Sequence, residues 1–338
     1  MIRLGTRASA LAQAQARFVA RRLEAAGHTV EVVELRTEGD RLAEARLSAL
    51  GGKGLFVREI EEALLEKRID VAVHSLKDLP AQTPDGLVLA AFPEREDPRD
   101  VLVGRGPGGL AALGPGATLG TSSPRRRALA LALRPDLVVE PIRGNVDTRL
   151  RKLAEGAFHA IVLAAAGLRR LGVVPAHAET LAPEVWVPAV GQGTLGLEAR
   201  GDDRPTLAAL AVLDHAPTRV ASLAERAYLA RLGASCVTPM AAHARLEGER
   251  LWLDAFVASE DGREVLRERA VGPAGEAEAL GRRLAETLLS RGAASVCALN
   301  PPGGPDMAPR PPALGRAPAK PWRASGLTQD VSSSHEDE

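Results

Sequence analysis

The sequence predicts an α/β protein, because short apolar strands alternate with longer amphipathic helices through its first two hundred residues. Its composition agrees with a globular fold, since 45% of the residues are hydrophobic and 25% are charged. Aromatic residues make up only 3%, so the core must consist mainly of leucine, valine and alanine. A chain of 338 residues is long enough for two or three domains.

Each element of the alternating part has its own local signal. Helical periodicity covers residues 9–26 and 54–67. Ser9 stands at the start of the first helix, where a serine side chain is a favoured N-cap. The strand-like runs are rich in valine, isoleucine and leucine and cover residues 2–6, 30–35, 69–73, 137–142 and 160–164.

A weak internal repeat runs through the same part of the chain. Its pairs are LGTRAS at 4–9 with LGTSSP at 119–124, VVELRTEGD at 32–40 with VVEPIRGNVD at 138–147, and IDVAVHS at 69–75 with FHAIVLA at 158–164. Because the pairs occur in the same order, the repeat predicts two similar α/β domains with a ligand cleft between them. The alternative is that short valine-rich strands simply look alike.

The rest of the chain divides into a third domain and a tail. Residues 216–300 contain a helical stretch, two alternating runs that read as antiparallel strands, and a closing helix near 275–291, which predicts an α+β domain. Residues 301–338 are rich in proline and glycine and end in an acidic run. Such a segment buries too little apolar surface to offset its ordering entropy, so we expect this tail to be disordered.

The balance of charge and the scarcity of cysteine narrow the possible partners. The 43 basic and 43 acidic residues cancel, which argues against nucleic acid and leaves only local clusters to attract anions. Cys236 and Cys297 form no CxxC pair, so neither a disulfide framework nor a metal site is expected. Neither a signal-peptide pattern nor a membrane-length apolar run occurs, so we expect a cytoplasmic protein without a membrane partner.

The segment GTSSPRRRALA at 120–130 predicts an anion-binding helix start. Ser122 and Ser123 can cap a helix, and Pro124 suits the first helical position, where its missing N–H costs nothing. Free N–H groups at a helix start attract anions, and the three arginines that follow add donors suited to carboxylates or phosphates. The alternative is a solvated basic turn, but cations there oppose the helix dipole, which favours a bound anion.

Further polar residues stand at predicted strand ends and helix starts, where α/β proteins bind ligands. Lys77 and Asp78 follow the buried strand at 69–73, and their alternative interpretation is a solvated ion pair of little value. Such a collection of cations indicates a ligand with several negative charges. The other residues at such positions are the cations Arg7, Lys53, Arg143, Arg149 and Arg170, together with Ser9.

Two glycine-rich motifs match nucleotide-binding sites only in part, and His74, Cys236 and Cys297 carry weaker signals of their own. GGKG at 51–54 lacks the first glycine and the Ser/Thr of a P-loop, and the GQGTLG match at 191–196 is followed by a strand-like run where a dinucleotide site needs a helix. His74 ends a strand and is expected to be packed. Cys236 stands in a loop-like setting and is either an accessible thiolate or structural, whereas Cys297 is expected inside an element.

Over nearly all of residues 1–300 the chain resembles the porphobilinogen deaminase family. The matching stretches, in order, are GTRASALA, GGKGLFVREIE, VAVHSLKDLP, EREDPRD, GTSSPRR, RGNVDTRL, LAAAGLRRLG and PAVGQGTLGLE. The resemblance implies three α/β-type domains, the first two like the lobes of periplasmic binding proteins and the third small and α+β. It also implies a transferase of tetrapyrrole (haem) biosynthesis that joins four porphobilinogen molecules head to tail, with loss of ammonia, into hydroxymethylbilane.

The resemblance assigns roles to individual residues. It implies a dipyrromethane cofactor attached covalently through Cys236, with Asp78 as the catalytic acid and base. The family usually has Gly-Gly-Cys at the attachment site, whereas this chain has Ala234-Ser235-Cys236. The expected cofactor-binding residues are Cys236, Lys77, Asp78, Ser123, Arg125, Arg126 and Arg149. The expected substrate-binding residues are Arg7, Ser9, Lys53, Ser75, Arg143, Arg170 and Gln192.

The expected domain boundaries combine the repeat with the resemblance. The first domain is expected to contain residues 1–95 and 190–212, the second residues 96–189, and the third, with the cofactor cysteine, residues 213–300. The protein is expected to be a monomer. The alternative function is a two-lobed binding protein for organic anions, which would have no need of Cys236 as an attachment point.

Overall fold

The computed structural model describes residues 1–35, 57–234, 237–297, 299 and 302. The strands are β1 (Ile2–Arg7), β2 (Val30–Leu35), β3 (Val71–Ser75), β4 (Leu87–Ala91), β5 (Asp100–Gly104), β6 (Thr118–Gly120), β7 (Val138–Glu140), β8 (Ala160–Ala164), β9 (Ala178–Thr180), β10 (Leu195–Arg200), β11 (Met240–Glu247), β12 (Arg250–Ala258) and β13 (Val265–Pro273). The α-helices are α1 (Ala10–Ala25), α2 (Arg58–Leu65), α3 (Pro124–Leu133), α4 (Val146–Ala154), α5 (Ala165–Arg170), α6 (Arg204–Ala211), α7 (Ala216–Leu232), α8 (Ala277–Ser290) and α9 (Ala293–Val296).

The described residues form two five-stranded sheets of the same design. The first sheet has the order β2-β1-β3-β10-β4 and the second has the order β7-β6-β8-β5-β9. In each sheet the first three strands are parallel, and the fourth is antiparallel to both of its neighbours. The internal repeat is therefore confirmed, because the paired sequence segments form corresponding strands β1, β2, β3 and β6, β7, β8.

The chain crosses between the two large sheets twice, so the first sheet contains strands from two separate parts of the sequence. After β4 the chain passes to the second sheet and forms β5 there, and after β9 it returns to form β10 between β3 and β4. The crossing segments, residues 92–99 and 187–194, run side by side, since Glu96 N donates to Gly193 O. The boundaries of the first two domains stay a prediction, but these crossings agree with the divided first domain that the sequence predicts.

Helices cover both faces of each five-stranded sheet, which is why the central strands β3 and β8 are almost entirely buried. Helices α1 and α6 pack on one face of the first sheet, and α2 packs on the other. All six residues of β10 are buried. In the second sheet, α3 lies on one face and α4 and α5 on the other. This layering is the α/β architecture that alternating strands and helices predict.

A third, antiparallel sheet packs against two long helices. Its order is β11-β12-β13, and α7 and α8 bury the apolar residues of its inner face. The predicted helices at 216 and near 275–291 and two of the strands are present, with bounds shifted by one or two residues. Strand β11 was not predicted from the sequence, because its residues Met240–Glu247 are rich in alanine and include histidine and arginine, which favour strands weakly.

Two other predicted elements have different bounds in the structure. The strand expected at 69–73 is β3, which begins two residues later because the Asp70 side chain accepts hydrogen bonds from the backbone and guanidinium of Arg3. Ile69 is nevertheless fully buried. The helix expected at 54–67 is α2, and the start of that prediction lies in 36–56, outside the described residues.

One buried carboxylate connects the third sheet to the two crossing segments. Glu225 of α7 is 0% exposed and accepts hydrogen bonds from both Nη atoms of Arg95, at 2.6 and 3.3 Å. It also accepts the backbone N–H groups of Gly191 and Ala244, at 2.6 and 2.7 Å. Since these donors belong to both crossings and to β11, Glu225 fixes the position of the third sheet relative to the others.

Candidate active site

A cavity of about 260 Å³ lies between the first and second sheets. Its walls contain both apolar and polar residues, and their charged side chains are more often positive than negative. The cationic side chains in its lining are Arg7, Lys77, Arg126, Arg149 and Arg170, and the acidic ones are Asp78 and Asp147. Ser9, Gln15, Ser75 and Asn145 also contribute to the lining. The cavity is therefore suited to a ligand with several carboxylate or phosphate groups.

The first sheet supplies one wall through the carboxyl ends of two parallel strands. Arg7 is the last residue of β1, and Ser75 is the last residue of β3. Ser9 caps α1 by accepting a hydrogen bond from Ala12 N at 3.3 Å, which confirms the predicted cap. Gln15 of α1 donates to Ser75 Oγ at 2.7 Å and so connects the helix to the strand end.

Lys77 and Asp78 lie in one 3₁₀ turn, Leu76–Asp78, directly after β3. Lys77 is half-buried and its Nζ donates to Gln192 Oε1 at 3.4 Å. Burial and the neighbouring Arg126 lower the pKa of Lys77 to about 8, against the opposing effect of the Asp78 carboxylate. Asp78 is exposed, so its carboxylate is accessible to a ligand in the cavity.

The second sheet supplies the opposite wall through three helices. Arg149 of α4 donates from Nε to Gly144 O at 2.8 Å, and Arg170 at the end of α5 donates from Nη2 to Gly193 O at 2.6 Å. Burial lowers the pKa of Arg149, and it lowers the pKa of Arg170 to about 10. Burial of these cations disfavours their charged forms, so an anion bound beside them would be stabilised.

The helix start in GTSSPRRRALA has the predicted capping geometry but a different arrangement of arginines. Ser123 caps α3 by accepting from Arg126 N, and Pro124 occupies the first turn. Arg126 is 7% exposed and contributes to the cavity wall, and its Nε is buried without a hydrogen-bond partner among the described residues. Ser122 is not a cap, because its hydroxyl donates to Ile142 O.

Several predicted site residues lie away from the cavity lining. Arg125 is buried, and its Nη atoms donate to Val187 O and to an Asp100 oxygen. Ser123 borders a separate depression between α3 and Glu260. The side chain of Arg143 is exposed and does not line the cavity. Direct ligand contacts of these residues stay predictions.

Gln192 is 1% exposed and reaches the site only through its side-chain amide, which meets Lys77. Cys236 and Lys53 lie outside the described residues, so their predicted roles stay predictions as well.

Sequence reasoning did not single out Asp100, a buried carboxylate behind the cavity wall. It is 0% exposed and accepts hydrogen bonds from Arg125, Arg126, Trp186 and Gln192. Burial alone would raise the pKa of Asp100, but the two guanidinium groups outweigh it and hold the pKa below its ordinary value. The sequence signal was the aspartate that ends EREDPRD, beside an apolar strand.

Three simpler expectations can also be compared with the structure. His74 is buried and lies 3.0 Å from Glu198 Oε2, which confirms a packed histidine. GQGTLG leads into strand β10, as expected, where a dinucleotide site needs a helix. The prediction that Cys297 lies inside an element is wrong, because the short helix α9 ends at Val296; Cys297 follows it and packs against the core of the third sheet, and burial raises the pKa of its thiol to about 12.

In the part of the chain that the structure describes, no group of three or more histidine, cysteine or carboxylate side chains has a metal-binding arrangement. No described helix combines the length and the apolar character that crossing a membrane requires.

Comparison with solved structures finds bacterial binding proteins. One is a periplasmic substrate-binding protein of an ABC transporter from Coxiella burnetii, with 19% identity and a TM-score of 0.39 over 64% of this chain and 93% of that one. Another is a nutrient binding protein from Burkholderia cenocepacia bound to methionine, with 15% identity and a TM-score of 0.38 over 62% of this chain and 90% of that one.

Comparison with family models and curated proteins gives much stronger matches. Residues 2–208 match the model described as porphobilinogen deaminase, dipyromethane cofactor binding domain, and residues 220–290 match the model of the C-terminal domain. Porphobilinogen deaminase of Desulforudis audaxviator is 51% identical over 297 residues, which cover 87% of this chain and 96% of that protein. The Syntrophotalea carbinolica protein of the same name is 50% identical, covering 88% and 95%. With one model matching more than half of its length and relatives about half identical, the chain belongs to the porphobilinogen deaminase family.

Proposed function

We propose that this chain condenses porphobilinogen, four molecules head to tail, into hydroxymethylbilane and releases one ammonia for each molecule added. The observation that carries the proposal is the cavity in which five cationic side chains surround the accessible carboxylate of Asp78. Porphobilinogen carries an acetate and a propionate on each pyrrole ring, so a growing chain is a polyanion. The cations match the substituents, and the carboxylate matches the electron-poor carbon that remains when ammonia leaves.

The residues around the cavity also fit a dipyrromethane cofactor. Arg126 Nε is a buried donor without a partner among the described residues, and a ligand carboxylate would satisfy it. Arg149, Lys77 and Asp78 lie around the same space and would hold the remaining acidic groups and the pyrrole N–H groups. When bound, the cofactor supplies the free pyrrole carbon to which the first substrate molecule is joined.

Covalent attachment of the cofactor is proposed at Cys236, which precedes β11 in the sequence. The family match covers residues on both sides of this cysteine. The thiol of Cys297 is a poor alternative, since burial raises its pKa to about 12 and a thioether forms from the thiolate.

Asp78 is proposed as the acid and base of each condensation. Its carboxylate can accept the hydrogen bond of a pyrrole N–H and so stabilise positive charge that develops on the ring. The same group can accept the proton that the attacking pyrrole carbon loses once the new bond has formed, and it can pass this proton to the amine that departs in the next addition. Its neighbours in the cavity are mainly cations, and its carboxylate supplies the negative charge that this step needs.

The remaining cations are proposed to bind the acetate and propionate of the incoming substrate. Arg7 and Ser9 lie in the wall that the first sheet supplies, and Arg170 lies in the wall that the second sheet supplies. Arginine suits this task because its planar guanidinium can bind a carboxylate through two parallel hydrogen bonds. Lys53 and Arg143 are proposed as further members of the same set.

Intact-mass spectrometry tests the proposal together with a turnover assay. The purified protein should be heavier than its sequence by two linked pyrrole units, and it should release ammonia from porphobilinogen. Cys236→Ser should remove both properties, whereas Cys297→Ser should keep them. A two-lobed binding protein for organic anions, the alternative function, would bind porphobilinogen without added mass and without ammonia. A bare-mass chain that still turns over would contradict the cofactor assignment.

The cellular context is proposed on the same basis. We expect a monomer in the cytoplasm that acts on a small molecule and has neither a nucleic-acid nor a membrane partner. Gel filtration with light scattering would measure the mass of the protein in solution, and cell fractionation would measure its location.

A further inference from the structure

Asp100 lies at the point where the chain enters the second sheet. It is the first residue of β5 and follows the crossing segment 92–99 directly. Its two carboxylate oxygens accept two hydrogen bonds each from side chains. Oδ1 accepts from Arg126 Nη2 and Gln192 Nε2, both at 2.7 Å, and Oδ2 accepts from Arg125 Nη2 at 2.6 Å and Trp186 Nε1 at 2.8 Å. The carboxylate is thus fully enclosed by protein donors.

This arrangement gives the two adjacent arginines different orientations. Arg125 has one Nη on Asp100 and the other on Val187 O, so it is held inside the protein. Arg126 has one Nη on Asp100 and the other on Val162 O, which leaves its Nε as a buried donor without a partner in the part of the chain that the structure describes. Asp100 also compensates the charge of a guanidinium pair that would otherwise be buried close together.

A second connection runs from Asp100 to the first sheet. Gln192 lies in the returning crossing segment and donates from Nε2 to both Asp100 Oδ1 and Pro98 O. Because a carboxylate accepts and never donates when ionised, it holds the Gln192 amide with its nitrogen inward. The amide oxygen then points to Lys77 Nζ, which donates to it at 3.4 Å.

We infer that Asp100 is a positioning residue that orients two cations on opposite walls of the cavity, Arg126 directly and Lys77 through Gln192. Asp100 itself touches no ligand, because all of its acceptor capacity is used within the protein. The inference rests on the proposed function only in naming the ligand as the carboxylates of a pyrrole chain. Each wall belongs to a different sheet, so Asp100 sets the spacing of the cations across the cavity.

Asp254 offers a matched control for a merely structural role. It is 5% exposed and accepts from Arg245 Nη1 at 2.9 Å and from Arg269 Nε at 2.7 Å. Like Asp100, it is a buried carboxylate between two arginines, but it lies in β12 and does not line the cavity. Asn at either position removes one charge and weakens the two Arg–Asp pairs at that position.

The experiment compares Asp100→Asn with Asp254→Asn in the full-length chain. Three quantities are measured: the fraction of molecules that carry the two-pyrrole mass, the KM and kcat for porphobilinogen between pH 6 and 9, and the Tm. We expect both variants to have a lower Tm than the wild-type protein. Asp100→Asn alone should lower the cofactor-bearing fraction or raise KM by about tenfold or more, the effect of one lost hydrogen bond to a charged group.

The pH dependence gives an independent readout. Lys77 is surrounded by Asp78, Asp100, Arg125 and Arg126, and the charge of Asp100 favours the ammonium form. Asp100→Asn should therefore move the alkaline rise of KM to lower pH, while Asp254→Asn leaves it in place. Gln192→Leu keeps both Arg–Asp pairs and should produce the same shift, which gives a second variant in case Asp100→Asn does not fold.

Two results would overturn the inference. One is equal cofactor content, KM and pH profile in the Asp100 and Asp254 variants, since Asp100 would then be structural only. The other is an unchanged KM profile in Gln192→Leu. A wild-type protein without the two-pyrrole mass or turnover would contradict the proposed function instead, so the two failures can be distinguished.

Discussion

At the scale of single residues, Lys77 is the cavity cation whose charge depends most on pH. Its ammonium group is half-buried, close to Arg126, and compensated by Asp78 and Asp100. Burial and Arg126 lower the pKa of Lys77 to about 8 against the opposing effect of Asp78 and Asp100, so the cation is present below that pH and is lost as the pH rises through it. A nearby ligand carboxylate binds the ammonium form, so anion binding and protonation of Lys77 are linked.

Lys77→Arg tests this linkage. In the wild-type protein we expect the KM for porphobilinogen to rise about tenfold between pH 7 and 9, since one proton is lost from the binding site. The arginine variant keeps its charge in this range, so its KM should stay nearly flat, although its baseline can be higher because a guanidinium has another shape. KM measured at half-unit pH steps decides the matter, and parallel profiles would exclude Lys77 as the titrating group.

Asp78 supports a prediction on turnover that is independent of stability. Asp78→Asn should lower kcat by at least about 100-fold, the lower range for a positioned acid or base. Asp78→Glu should keep more activity because the charge survives. Since Asp78 is exposed, neither change should alter the Tm. Asp85→Asn, an exposed carboxylate in the following loop, is the control and should be neutral. Near-normal turnover of Asp78→Asn would contradict the proposed mechanism.

At the scale of elements, the close contact of α7 with α8 depends on one glycine. Gly281 lies in α8 where the backbone of α7 approaches, and a Cβ there would clash with the carbonyl oxygen of Ala224 and crowd Tyr228 N at 3.0 Å. This helix pair forms the apolar cover of the third sheet. The spacing of the two helices is therefore limited by the absence of a side chain at position 281.

Gly281→Ala should push these helices apart and destabilise the protein by about 1–3 kcal/mol, as overpacking of a core does. Gly275→Ala is the matched control, because a Cβ at position 275 meets open space. Calorimetry should find a lower Tm for the first variant and little change for the second. Equal Tm values would mean that α8 can shift at little cost.

Local signals in the sequence predicted these elements and their caps well, and failed where distant residues decide. Ser9 and Ser123 were predictable as caps, because an N-cap depends on residues within the same turn. The burial of Arg125 was not predictable, because it depends on Asp100, which is distant in sequence and adjacent only after β5 joins the second sheet. Strand β11 was likewise not predictable, because its alanine, histidine and arginine residues favour strands weakly. Its contacts with α7 and β12 come from distant parts of the chain.

At the scale of the whole molecule, Glu225 fixes how the three sheets are assembled. Its carboxylate binds Arg95 of one crossing segment, Gly191 of the other and Ala244 of β11. All of these contacts are removed from solvent, so the ion pair is costly to break on one side only. The shape of the cavity depends on the same crossings, since Gly193 O accepts a hydrogen bond from Arg170.

Glu225→Gln should lower the free energy of unfolding by about 3–5 kcal/mol, because Arg95 remains buried without its charged partner. Glu286→Gln removes a carboxylate that pairs with Arg231 at the surface and should change stability by less than about 1 kcal/mol. Urea unfolding measures both. If the two variants are equally stable, Glu225 has no special part in assembly.

The position of the late strand β10 inside the first sheet has a consequence for protein synthesis. When the ribosome has made residues 1–91, β4 has no partner and β3 has one unpaired edge, because β10 belongs between them. Every strand of the second sheet leaves the ribosome before β10 does. The domain that begins the chain is therefore the later one to close, which reverses the usual order of cotranslational folding. Until residue 200 emerges, its open strand edges are exposed to chaperones and to pairing with other nascent chains.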